Sequence, residues 1–540
     1  MKQKIQHYLA VSLITAILGI AGCASQSFRF TDSEPVRYFN DIHPIPSPKS
    51  LHYNRFDYYA NVLPTLPEVR RLEVPRNQNA RDVNSMDEVP ASSWYIPRLG
   101  YDPITPEELL AGPTEFGPPH PPVTIIRVRR PKSNPRFFVY DSRHIYYLLK
   151  FDPPDYPNIG TTTSFIVNRL FWGFGYHVPE DHLFYFNRNE LKVASESNLT
   201  QQDINAILSR VALPINGEYR SISSRILEGL PLGPTPEKGV RRDDPNDLFP
   251  HEDRRVLRGL RVFAALTNMS DISSDNTLDI YVGEEGQGYI KHHLIDFDDA
   301  FGTHAARHKR LWAGYNHIFS IKDILRNLIY AGVIVEDWEK IVNTPWKSVG
   351  SFEAVHFKPE NWKETHPFEP IRRSLPADNY WAAKIVGALT QQHFKALVDA
   401  AEYPEPEARK YMVETLMERR RKILKYYIEQ VSPVEVFKYA DGQLHLKDMG
   451  RILLDENFNN SLYVVQFYND AGKKISEDIQ ITSESHFFSI SISDSLMNKA
   501  NGYLRIHVSV KRQNRSASKA AQFHLRRSND AIVRLVGLVH

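Results

Sequence analysis

The period of the hydrophobic pattern changes twice along this chain, and that switching restricts its architecture more than any single motif. From Val123 the runs are short and β-like: Thr124-Ile125-Ile126-Arg127-Val128, Arg136-Phe137-Phe138-Val139-Tyr140, and His144 through Phe151. Short turns between β-branched and aromatic runs predict an antiparallel meander. A helix is expected next, from about Thr161 to Gly173, with Phe165, Val167, Leu170 and Phe171 as its apolar face and Gly175 as its stop. After a further strand from Ser221 to Leu227 the pattern turns helical, at His251 to Leu266, Ile321 to Ala331, Tyr380 to Gln391 and Glu405 to Gln430. Beyond Val434 the period returns to two, around Leu462 to Tyr468, Phe487 to Ile492, Tyr503 to Val510, Ala521 to Leu525 and Ile532 to Val539. Strands followed by helices predict a two-lobed α+β unit, and the last hundred or so residues a small β-sandwich.

Half of the 36 prolines fall between Pro35 and Pro135. Proline fixes φ and removes a backbone donor, so this region is expected to be extended. It also carries Tyr58, Tyr59, Trp94 and Tyr95. A free linker has no use for such anchors, which makes the segment an arm wrapped on the body.

The 540 residues contain a single cysteine, which excludes internal disulfides and thiolate metal sites. Lys and Arg total 66 against 64 Asp and Glu, a balance with no pull toward nucleic acid. Lys2 and Lys4 precede an apolar run from Leu9 to Ile20, followed by Ile20-Ala21-Gly22-Cys23. This is the plan of a secretory signal peptide, and the run is short of the roughly 20 residues of a spanning helix. The four residues ending at Cys23 resemble the lipobox of bacterial lipoproteins. That resemblance implies a covalent diacylglycerol and acyl lipid on Cys23, a membrane partner reached through it and, with Ala24 and Ser25 next, outer-membrane sorting.

The densest chemical signal is Thr267-Asn268-Met269-Ser270-Asp271-Ile272-Ser273-Ser274-Asp275-Asn276, then Thr277 to Tyr281, a turn at Gly286 to Gly288, and His293-Leu294-Ile295-Asp296-Phe297-Asp298. An Asp and an Asn five apart in a loop, a hairpin, then Asp-Phe leaving a strand is the order used in phosphoryl transfer, where the later oxygens hold magnesium. Here the chain resembles the protein-kinase-like superfamily, in particular the toxin–antitoxin serine kinases and spore-coat kinase-like proteins, from about Thr124 to Gln430. The resemblance implies ATP and Mg as cofactors, Asp271 as the catalytic carboxylate, Asn276 and Asp296 as metal ligands, and Lys150 on the nucleotide phosphates. Met269-Ser270 replaces the usual His-Arg, Asp298 the usual glycine, and Arg129-Arg130-Pro131-Lys132-Ser133-Asn134-Pro135 the glycine-rich loop. The helix after Lys150 has no acidic residue, so Glu180 is the substitute partner for that lysine. The chain also resembles a family of bacterial envelope proteins without established activity, through Asp87-Glu88-Val89-Pro90 with Ser92-Ser93-Trp94, Asp243-Asp244-Pro245-Asn246-Asp247 with Pro250-His251-Glu252, and Asn276 to Asp279.

The expected organisation is a signal peptide over 1–22, a tether and arm over 23–122, a kinase-like domain over 123–433 with lobes meeting near 233, and a β-sandwich over 434–540. Arg254, Arg255 and Arg258 read as a salt-bridged face before an anion site. His251-Glu252 lacks the second histidine of a zinc helix. The pairs His292-His293 and His304, His308 read as structural. The basic run Arg419-Arg420-Arg421-Lys422 fits a helix packed on its own domain or one meeting anionic lipid. Two functions follow: an envelope-anchored ATP- and Mg-dependent phosphotransferase acting on a protein, glycan or small molecule, and an inactive kinase-like scaffold that binds an envelope partner.

Overall fold

The computed structural model describes residues 29–31, 34–46, 48–50, 78–129, 135–304, 307–318, 329, 335–454, 461–512 and 517–540. The signal peptide, Cys23, the anchors Tyr58 and Tyr59, the loop 130–134 and most of the helix expected at 321–331 lie outside them.

The arm is not wholly extended. Thr105 caps a short helix α1 (Pro106–Ala111), with Pro106 in the first turn, where a missing N–H costs nothing. Trp94 and Tyr95 are buried as expected. The meander follows as β1 (Val123–Arg129), β2 (Arg136–Tyr140) and β3 (Tyr146–Lys150), and α2 (Ile159–Gly173) packs behind it. Gly175 stops α2 at φ +110°, and its missing Cβ makes room for the Tyr95 ring. Next come β4 (Asp181–Asn187), β5 (Leu191–Val193), α3 (Gln201–Leu208) and β6 (Glu218–Arg225). These strands form one sheet in the order β4-β6-β3-β2-β1-β5, antiparallel except where β5 lies parallel to β1. Val123, Ile125, Phe137, Val139, Tyr147 and Leu149 bury one face against Ile204, Ile207 and Leu208 of α3.

The second part of the body contains β7 (Leu230–Gly233), α4 (Arg255–Arg258), α5 (Leu260–Thr267), β8 (Thr277–Val282), β9 (Tyr289–Leu294) and two-residue strands β10 (Thr303–His304) and β11 (Arg307–His308). The helix expected at His251 to Leu266 begins later, because His251–Asp253 is a separate 3-10 turn and Arg254 is extended at φ −89° and ψ 124°; Gly259, where a Cβ would meet the Trp381 ring, joins α4 to α5. Then follow α6 (Glu369–Arg372), α7 (Pro376–Gly387), α8 (Gln391–Ala400) and α9 (Pro406–Tyr427). Arg419 of α9 is buried and donates to the carbonyls of Ala265 and Leu266, closing the C-terminal end of α5. The basic run therefore packs in part within its own domain.

From Val434 the chain is mainly β. Strands β12 (Val434–Ala440), β13 (Gln443–Asp448), β14 (Ser461–Tyr468), β15 (Ile479–Ser483), β16 (Phe487–Ser491), β17 (Tyr503–Lys511), β18 (Ala521–Arg527) and β19 (Val533–Val539) make two sheets, β12-β13-β16 and β15-β14-β17-β18-β19. Leu444, Leu446 and Ile490 of the first share a core with Val465, Ile506 and Phe523 of the second. Charged contacts close the seam with the body. Lys384 donates to Glu88 and Glu435, and Asp87 joins Arg255 to His540. No helix among the described residues is long and apolar enough to cross a membrane.

Candidate functional site

Alternation along β3 sends Leu149 into the sheet core and turns Lys150 to the opposite face. The β2–β3 register sets Arg136 directly across from Lys150. On the other side of the site the β8–β9 hairpin pairs Thr277 with Leu294, and Ile295 donates to the Asn276 carbonyl at 2.9 Å. Asn276 and Asp296 thus leave adjacent strands side by side. Asp296 has φ +64°, and the next residue, Phe297, is buried against Phe171 of α2 at 5.5 Å between ring centroids. A non-glycine residue in the left-handed region costs free energy, which the buried Phe297 side chain offsets.

Lys150 Nζ lies 2.5 Å from Asp296 and 3.5 Å from Asp298, and Arg136 is 3.8 Å from Asp296. Burial alone would push the lysine down, but Asp296 and Asp298 hold it above its ordinary value. Asp296 is raised by burial yet held well below the usual carboxylate range by Lys150 and Arg136. Asp298 goes the other way. Burial first, then the neighbouring Asp296 charge, push it up to about 7.

Asp271 follows α5, whose end is turned by Asn268 at φ +51°. Trp362 donates to the Asn268 side chain and Thr365 to the Ser270 carbonyl, fixing the loop. Burial pushes Asp271 up to about 6, with Asp299 adding to the rise and Lys309 opposing it. Asp299 itself accepts from His304 at 2.9 Å, and Lys309 donates to its carbonyl oxygen at 3.3 Å. Asn276 is buried, with Ser273 donating to its amide oxygen at 3.2 Å.

The structure therefore joins Lys150 to Asp296, sets Asn276 beside Asp296, and links Asp271 to them through Asp299. Glu180 is elsewhere. Its carboxylate accepts from the backbone N–H groups of Phe116 and Gly117, contacts that pin the arm, and pairs with His182 of β4. The lysine's acidic partners come from the Asp296 segment instead. Sequence reasoning missed Arg136, Asp298, Asp299, His304 and Lys309 as site residues. The hairpin register could have supplied Arg136, and the run Asp298-Asp299 was visible as excess acid next to Asp296.

A second charged cluster lies behind the β8–β9 hairpin, where the three blocks that suggested an envelope family converge. Trp94 stacks on His292 at 3.5 Å, meets His251 edge-on at 5.0 Å and carries Arg254 over its ring at 4.3 Å. His251 and Arg254 both bind Asp247, at 2.7 and 2.6 Å, and His292 binds Asp279 at 2.7 Å. Arg255 and Arg258 pair with Asp378, so the arginines of this segment are buried ion pairs. Comparison with family models gives no match, and comparison with curated proteins likewise gives none.

Proposed function

We propose that this chain is a membrane-anchored envelope lipoprotein whose body is a divergent, ATP- and Mg-dependent kinase-like phosphotransferase, acting on an envelope protein, glycan or small molecule. The observation that carries the reading is the meeting of Lys150, from the third strand of a meander, with Asp296, from the strand after the Asp271 to Asn276 loop. Two features support a kinase-like arrangement: β6 lies beside β3 with β4, the first strand after α2, outside it at the sheet edge, and Phe297 packs on α2.

The donor set is all oxygen: the carboxylate of Asp296, the amide oxygen of Asn276 and the adjacent Asp298. That set fits magnesium, which binds through one or two carboxylates and completes its shell with phosphate and water. Asn276 and Asp296 would hold the ion, and when bound it neutralises charge on the transferring phosphoryl group. Lys150 would leave Asp296 for the nucleotide phosphates, with Arg136 behind it. Asp271 would accept a hydrogen bond from the acceptor hydroxyl and orient it for in-line attack.

The engagement of Glu180 with the arm favours a second reading, an inactive kinase-like scaffold that binds an envelope partner. Titration of the purified mature chain with ATP and magnesium separates the two. Saturable binding that Asp296→Ala abolishes supports the enzyme. Equally weak binding by both proteins sinks it.

A further inference from the structure

The N-terminal end of the described chain is fastened to the last β-sheet. Arg29 forms an ion pair with Asp470 and lies over the Tyr503 ring at 5.5 Å. The Phe30 backbone donates to the Tyr503 hydroxyl at 2.9 Å, and its ring meets His524 edge-on at 5.0 Å. Gly537 of β19 is the seat for that ring, because a Cβ there would collide with it. Arg526 donates to the Thr31 carbonyl and continues the clasp.

Alternation fixes which face this is. Leu504, Ile506 and Val508 enter the core, so Arg505, Ser509 and Lys511 stand on the outer face of β17. Arg526 lies opposite Tyr503, and Arg534 opposite Arg526, on that same face. Arg505, Lys511, Arg526 and Arg534 make this face basic, while its acids Asp470 and Asp478 are already paired with Arg29 and Lys474.

Only six residue steps separate Cys23 from Arg29, a reach of at most about 21 Å whatever path they take. We infer that the outer face of the β15-β14-β17-β18-β19 sheet is the membrane-facing surface, lying against anionic phospholipid headgroups, while the Lys150–Asp296 site is carried on a body anchored through this module. The inference rests on lipidation of Cys23 in the reading above. Two features argue for a bilayer here: the short reach from the anchor, and a basic face, which an anionic surface attracts.

The lone cysteine makes the test direct, since lipid blocks it and an introduced thiol is then unique. Full-length lipidated Ser509→Cys, and Ser489→Cys on the outer face of the other sheet, are labelled with a fluorophore. They are reconstituted into phosphatidylglycerol–phosphatidylethanolamine vesicles with a headgroup-linked quencher. At least threefold stronger quenching at 509 than at 489 is expected, and Arg29→Ala with Phe30→Ala should narrow that ratio toward one. Equal or reversed quenching, in a chain that Cys23→Ser releases from membranes, overturns the orientation alone. Membrane retention unchanged by Cys23→Ser overturns the anchoring reading.

Discussion

Two clusters of buried charge flank the β8–β9 hairpin, and they are built on opposite plans. Behind the hairpin, Asp247 is held well below the carboxylate range: burial raises it, but the His251 hydrogen bond and the His251 and Arg254 charges win. Asp279 is lowered likewise by His292, and Trp94 covers both histidines. In front of it, burial pushes Asp271 and Asp298 up, and neighbouring carboxylates add to the rise, Asp299 for Asp271 and Asp296 for Asp298. A cluster whose carboxylates are matched holds a fold together. One with excess carboxylate is unfavourable as it stands, and a cation would relieve it.

That contrast can be broken. Asp247→Ala leaves Arg254 and His251 buried without their anion and is expected to cost about 3–5 kcal/mol in denaturant unfolding. A loss below about 1 kcal/mol would mean the matched cluster is not structural. The seam to the C-terminal module repeats the matched plan, so acid should loosen it. Burial raises Asp87 and Glu435, but Arg255 with His540, and Lys384 with Lys447, hold each at about 2. Both then stabilise the fold above their unfolded values, near pH 4, and that stability is lost as pH falls toward 2. On the order of 2 kcal/mol from each should disappear over that window, read by pH-dependent melting.

In the other cluster, Asp296→Ala should cut Mg–ATP affinity at least tenfold, about 1.4 kcal/mol. The smallest effect is expected at Asp298. Its folded pKa of about 7 lies above its unfolded value, so its contribution is present at acid pH and lost as pH rises through 7. Asp298→Asn should therefore be more stable than the parent at pH 8, by on the order of 1 kcal/mol. Parity at pH 8 would place that carboxylate in an ordinary solvated setting.

The meander, α2 and the later β strands were legible because each obeys one period with clear stops. The break at Arg254 was hidden, since the helical pattern runs through it, and only contact with Trp381 explains Gly259. The short helix at Pro106 was masked by the prolines around it. In the site, Asp271, Asn276, Asp296 and Lys150 were readable from order along the chain. Glu180 was not, because nothing in local sequence says that the backbone of Phe116 and Gly117 will claim its carboxylate. Long-range pairs of that kind are set by how the arm packs.

The three-residue strand β5 has a bearing on how this chain avoids pairing with its neighbours. By lying parallel along β1 it occupies backbone donors and acceptors that an exposed strand would offer to another chain, and it is itself too short to serve as a template. On that side the sheet offers little room for strand addition by another chain.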